Sequence, residues 1–343
     1  MQVHLETLAS AGEWDILESE IGQAEEKRIA PSVGTLIVKA RLLLRKGRHG
    51  EATFALRQAE GIAHEAGQEQ LGMELKGNQV VLAFAGGRLS RTKARAQILE
   101  AVQTCPDSLA LGDMLATVSS LRSEAADLAP VATRWAQSHE SFAFSIRART
   151  SFLASDWERS SMEVREWLAA HPSDADALVS YLSVVGHVDN DWESAARVAR
   201  MAASSKELSA SMVNQAAYSL VLAGAPLEAR GLLLRAPSWN FRLEATQGLV
   251  ALSLGHVRGG LELYASAARM ITAPEEREEQ DGLLRLHLRL GLLSLGLWGA
   301  ELQREVKQRR LDVKHLPRDW RDKSSFLVLE HRARLNGWPW PFE

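Results

Sequence analysis

At 343 residues, 46% of them apolar, with a formal charge of −3, the chain can bury a core and is too apolar to be disordered. A pI near 6.4 provides no global basic field to draw it to nucleic acid or a membrane. Its single cysteine, Cys105, excludes an intrachain disulfide and a four-cysteine zinc site.

The first residues, Met1 to Glu6, show neither a basic region nor a long apolar one, which predicts no signal peptide. The most apolar segment, Leu290 to Leu302, has 13 residues, where a membrane-spanning helix needs about 20. The expectation is a soluble, cytoplasmic protein.

A repeated unit organises most of the chain. Residues suited to a turn between two helices stand at Gly12, Gly47, Ser155, Asn190, Gly224 and Gly255. Neighbouring spacings are 35, 35, 34 and 31, and the gap from Gly47 to Ser155 is 108, three units of 36. Behind each anchor the same apolar pattern predicts a second helix. It reads Trp14, Leu17, Ile21 and Ala24 in the first unit, and His49, Ala52, Leu56 and Ala59 in the next. Trp157-Ser160-Val164-Trp167 and Trp192-Ala195-Ala199-Ala202 repeat it later. Seven residues before five of the turns stand Ala40, Ala148, Ser183, Ala217 and Gly248. Small residues recurring at one place mark a close helix crossing, because the side chains at the contact set the distance between axes. Pro106 and Pro172 end helices, and Asp107 and Ser173 are the expected N-caps of the next ones. Ser155, Ser204 and Thr272 each precede a Glu at capping-box spacing.

This layout resembles the tetratricopeptide (TPR) repeat family, whose period is about 34 residues. The resemblance implies an all-α, right-handed α-solenoid of about eight helix-turn-helix pairs, spanning residues 1–271. Within it, Gly86-Gly87 lengthens a turn, and residues 108–139, with Pro130 inside the expected second helix, form a degenerate unit. Residues 272–343 are assigned to a divergent C-terminal helical cap. There Leu283–Leu290 alternates with period two but lacks β-branched residues, so a helix is expected. The chain ends in a Trp/Pro tail, Trp338-Pro-Trp-Pro-Phe342, whose prolines impose an extended course. Folding back onto the last helices is the expected fate of its exposed tryptophans.

Catalytic signatures are absent: there is no phosphate loop, dinucleotide fingerprint, His-Glu-x-x-His or nucleophile elbow. No cofactor, metal or catalytic residue is assigned. Asp189-Asn-Asp191 lacks the central Gly and final Glu of a calcium loop and reads as a turn with Asn190 capping the next helix. Cys105, with no nearby His, reads as an inert small side chain.

Partner binding is therefore the expected function. TPR proteins bind partners on the face of their first helices, and projecting that face here selects Phe142, Arg149, Phe152, His187, Asn214, Tyr218 and Arg242. Trp338 and Trp340 add a C-terminal docking element. Some TPR proteins clamp the C-terminal carboxylate of heat-shock chaperones with Lys and Arg around an Asn; only Asn214 matches, so that activity is not assigned. The leading expectation is a non-catalytic scaffold or adaptor for a protein or peptide. The alternative is the sensor or regulatory array of a multi-component effector, such as a nuclease or protease supplied elsewhere. Nucleic-acid contact through Arg304, Lys307, Arg309, Arg310 and Lys314 is a weaker option, because Glu301, Glu305 and Asp312 interrupt the basic run.

Overall fold

The computed structural model describes residues 14–45, 48–204, 208–271, 277–313 and 320–342. It is 76% helical, with eighteen α-helices and no strand among the described residues. The chain divides into two compact units, and the division falls inside the degenerate stretch: residues 1–119 and 133–135 make unit 1, residues 120–132 and 136–343 unit 2.

Unit 1 contains α1 (Trp14–Glu26), α2 (Val33–Arg45), α3 (His49–Glu65), α4 (Glu69–Ala85), α5 (Arg91–Thr104) and α6 (Leu109–Val118). Its core joins Leu36, Ala40 and Leu43 to Ala52, Leu56 and Ala59, with Leu75 closing one side. The predicted second-helix pattern is the buried stripe of α3. Gly77 faces Met114 and Leu111 so closely that a Cβ would lie 2.7 and 2.9 Å from their side chains.

Unit 2 begins with a 3₁₀ turn, Arg122–Glu124, and α7 (Ala125–Arg134), which carries Pro130 within it. Four pairs follow: α8 (Ser141–Ala154) with α9 (Trp157–Ala170), α10 (Ala175–Val188) with α11 (Trp192–Ala203), α12 (Ala210–Leu222) with α13 (Pro226–Leu233), and α14 (Phe241–Ser253) with α15 (Val257–Met270); α16 (Arg277–Ser294) and α17 (Ala300–Gln308) come after them. From α8 to α16 successive helices pack on each other, and α10, α12, α14 and α16 also pack side by side as an inner layer. The final helix, α18 (Ser324–Leu335), rests on α10 and α16.

The turn residues explain why the helices stop where they do. Ser155, Asn190, Gly224 and Gly255 all adopt left-handed backbone angles, φ between 55° and 83°, as a helix-ending C′ residue does. Gly87 does the same at φ 67°. It lies 68 residues, two repeat lengths, before Ser155, so it is one of the two anchors missing from the long gap, and the Gly86-Gly87 insertion is that turn. Gly12 and Gly47 lie outside the described residues.

The caps fall one residue beyond expectation. Ser108, Asp174, Asp156 and Asp191 accept the helix-starting amide hydrogen bonds, not Asp107, Ser173, Ser155 and Asn190. At the last two the cause is plain: the turn residue is spent on the left-handed stop, so the cap passes to its neighbour. The boxes at Ser204 and Thr272 reach residues outside the described ones.

The period-two leucines of α16 are helical. Leu284, Leu286, Leu288 and Leu290 are all buried, because α14, α15 and α18 cover the helix from more than one side. The helix keeps a narrow polar stripe along Asp281, Arg285 and Arg289, where Arg285 pairs with Asp281.

The close crossings give a direct test. A Cβ on Gly248 would stand 2.8 Å from Tyr264 Cδ2 and 2.9 Å from the Gly260 carbonyl oxygen, and Ala217 is fully buried. Gly248→Ala and Ala217→Leu should each lower unfolding stability by roughly 1–3 kcal/mol in denaturant titrations. Gly231→Ala, at an exposed position of α13 where a Cβ meets nothing within 4 Å, should be neutral or stabilise by up to about 1 kcal/mol.

Candidate functional site

The face of the inner layer in unit 2 is occupied by the chain's own α18. At its start, Ser324 N–H and Oγ donate to the Ser120 carbonyl at 3.1 and 3.2 Å, and Lys323 pairs with Glu279 at 2.6 Å. At its end, Asn190 Nδ2 donates to Asn336 Oδ1 at 3.0 Å. Between them His331 meets the Val188 carbonyl at 3.1 Å and lies against the Trp157 ring. Phe326, Leu329 and Ala333 form its buried apolar edge.

Arg332 sits on that edge and is 0% exposed. Its Nη1 donates to Tyr218 Oη at 3.1 Å and to His187 Nδ1 at 3.3 Å, and its Nη2 to Ser294 Oγ at 2.5 Å. The guanidinium lies 4.6 Å from the Trp192 ring centroid and 5.8 Å from that of Trp338. Nε has no hydrogen-bond partner, and among the described residues no carboxylate pairs with the group. Four helices thus converge on one cation and offer it neutral acceptors and an aromatic face, which is worth about 2 kcal/mol or more when desolvated. Emptied of its donor, each buried acceptor would cost about 1–3 kcal/mol.

Two imidazoles share this box. His187 stacks on Tyr218, and His287 stands edge-on to both rings at 5.3 and 5.7 Å. Burial, then the charge of Arg332, holds His187 well below the usual histidine range. Burial, Arg332 and Arg242 push His287 down to about 3. Both are therefore neutral at pH 7, and only as a neutral ring can His187 Nδ1 accept from Arg332.

The predicted surface residues do not share one open face. Tyr218 and His187 are buried beneath Arg332, because α18 covers them. Asn214 accepts from Thr246 Oγ1 at 2.8 Å and ties α12 to α14. Phe152 is half-buried against Trp157, with Arg149 above its ring. Phe142 is 47% exposed at the start of α8, and Arg242 lies over Phe241 at the start of α14.

The tail folds back. Gly337, at φ 65°, ends α18; Trp340 is buried, and Trp320, Trp340 and Phe342 lie within 5.7–6.2 Å of one another. Arg289 donates to the Pro339 carbonyl at 3.1 Å. Trp167, which replaces the usual small residue, is buried and donates to Ser141 Oγ at 2.8 Å. The side chains of Trp14 and His49 lie outside the described residues.

Other candidates are committed to structure. Asp189 accepts from Ser161 at 2.5 Å and Arg165 at 2.8 Å, and Asp191 caps α11. Burial, with Glu69 and Glu74 nearby, raises the Cys105 thiol, the reverse of nucleophile activation. Among the described residues no His/Cys/Asp/Glu group is arranged to hold a metal, and no helix is long and apolar enough to cross a membrane. Arg304 and Lys307 stand on α17; Arg309 pairs with Glu305, and Arg310 turns the chain at φ 55°. Lys314 lies outside the described residues.

Arg332, Ser294 and His287 were not singled out from sequence. The one available signal was an arginine on the Phe326-x-x-Leu329-x-x-Arg332-Ala333 edge of a helix, where its neighbours are apolar.

Two predictions follow from this packing. A histidine depressed in the folded state contributes stability that is complete above its unfolded value of about 6.5 and is lost as pH falls toward the folded value. Unfolding stability should therefore drop by about 1.4 kcal/mol per pH unit for each imidazole as pH falls from 6.5 to 5. His287→Gln should flatten that slope in denaturant titrations at stepped pH. Separately, removing residues 337–343 uncovers Trp320 and should lower the melting temperature and increase self-association in sedimentation.

No protein-family model matches the chain, and no curated protein matches it. Among solved structures it is similar to the Cut9–Hcn1 hetero-tetramer of the APC/C, with a TM-score of 0.51 and 9% identity over 98% of this chain and 77% of that one. It also matches a tetratricopeptide repeat protein from Parabacteroides merdae ATCC 43184 (TM-score 0.43, 12% identity, 72% of this chain, 96% of that one). A third match is the human IFIT1 dimer with m7Gppp-AAAA (TM-score 0.46, 15% identity, 87% of this chain, 72% of that one). At these identities the likeness is one of fold. By that likeness, and by the repeat carried in its turns and crossings, the chain has the fold of a TPR-like helical repeat array.

Proposed function

We propose that the chain is a non-catalytic adaptor that binds a protein partner through the inner face of unit 2. The observation that supports this most is the burial of Arg332 among His187, Tyr218, Ser294 and Trp192. These groups belong to four helices of the array, and together they receive one side of a separate helix. Helix-in-groove recognition works in this way, with apolar anchors setting affinity and a few polar groups setting register. Beyond the occupied centre, Phe142 and Arg242 are exposed and Arg149 is half-buried over Phe152, and aromatic and arginine side chains dominate many interfaces.

A second reading also draws on the resident helix. An array whose inner face is already filled suits a sensor or regulatory subunit, silent until the helix moves. Catalysis would then belong to another component of the assembly.

Photo-crosslinking in the native cell tests the adaptor reading. A crosslinking residue placed at Phe142, Arg149 or Arg242 should trap one protein partner, and a residue placed at Met201, exposed on α11, should not. Trapping at Met201 alone would overturn the choice of face. Turnover of a substrate by the purified chain would overturn the non-catalytic reading.

A further inference from the structure

We infer that α18 is a resident pseudo-ligand, and that the partner of unit 2 presents an amphipathic helix with the same pattern. That pattern is an aromatic residue, a leucine three positions later, an arginine after three more and a small residue next to it, as in Phe326, Leu329, Arg332 and Ala333. The inference rests on the adaptor reading above.

The receptor side is specific for arginine. His187 Nδ1, Tyr218 Oη and Ser294 Oγ all accept, and they surround the guanidinium beside the Trp192 ring. Lysine is a compact point charge and lacks the flat face that lies over an indole. A neutral side chain would leave buried acceptors unpaired, and that loss discriminates more strongly than lost apolar contact.

The same chemistry makes the occupant exchangeable. The groups around Arg332 are neutral, so when α18 leaves, its charge goes into water and no lone charge stays behind in the groove. The contacts at its two ends are ones that water can replace: two hydrogen bonds from Ser324 to the Ser120 carbonyl, the Lys323–Glu279 pair, whose two side chains both reach solvent, and the single Asn190–Asn336 bond. To the contacts of Arg332 the covalent tether of α18 adds a local concentration in the millimolar range. A competing helix must overcome that advantage, and any change that loosens the resident helix lowers the barrier.

The test uses the full chain and a labelled synthetic peptide with the sequence of residues 320–342, followed by fluorescence anisotropy. Arg332→Ala in the chain weakens the resident helix and leaves the groove intact. It should bind the peptide at least tenfold more tightly than the wild-type chain does. A peptide carrying the same Arg332→Ala change should bind at least tenfold more weakly than the unchanged peptide. If the Arg332→Ala chain loses its helical circular dichroism, His331→Ala combined with Asn336→Ala removes the bonds to Val188 and Asn190 instead. Failure of a folded variant to bind the peptide, or equal binding of both peptides, overturns the inference. So does a partner that crosslinks at Phe142, Arg149 or Arg242 and is not displaced by the peptide, an outcome that leaves the adaptor reading standing. Peptide binding as expected, with no partner trapped from the cell, supports the groove chemistry and sinks the adaptor reading alone.

Discussion

Every repeat here depends on how closely two helices can approach. At Gly248 the facing Tyr264 ring and the Gly260 carbonyl leave no room for a methyl group. At Gly186 a Cβ would fall 2.3 Å from Trp192 Cζ3. The small residue is the condition for the large one, since Trp192 and Tyr264 are buried only because glycine admits them. Close packing then lets each pair offer an apolar edge to the next, and a repeat too small to hold a core alone gains one from its neighbours.

That arrangement leaves an inner face with work still to do. In unit 2 it carries Tyr218, His187 and Trp192, side chains with large apolar bodies and polar tips. Water serves the tips and not the bodies; a plain hydrophobic cap serves the bodies and strands the tips. An arginine serves both, because its flat guanidinium packs on the indole while its N–H groups reach the acceptors. Phe326 and Leu329 on the same helix complete the apolar cover. The face therefore asks for a helix of mixed character, and α18 is one.

Much of this was legible in sequence wherever the determinant is local. Ser155, Asn190, Gly224 and Gly255 announced the turns, because a left-handed stop selects from few residue types. The caps were misplaced by one at Ser155 and Asn190, since a turn that needs both a stop and a cap cannot draw them from one residue. The helix at Leu283–Leu290 was legible from composition, whereas its enclosure by α18 was not. Arg332 stands 145 positions from His187 and 114 from Tyr218, and no spacing rule spans such distances. Projecting the face from repeat positions found His187 and Tyr218 but could not tell that another part of the chain lies over them.

Two buried arginines in unit 2 show how differently a buried charge can be held. Arg147 is paired with Glu163 at 2.9 Å, both nearly inaccessible, and also donates to the carbonyls of Ala136 and Ser138. Separating that pair leaves a buried carboxylate with only the longer contact to Arg159 at 3.7 Å, at a cost of up to about 3–5 kcal/mol, so it behaves as a permanent staple between α8 and α9. Arg332 is as deeply buried but faces neutral partners. Its departure leaves a tyrosine, a serine and a neutral imidazole, each of which water can satisfy. The difference lies on the receptor side: a charged receptor fixes its cation in place, and a neutral one can release it. Within one fold, the pair at Arg147 is suited to architecture and the box around Arg332 to exchange.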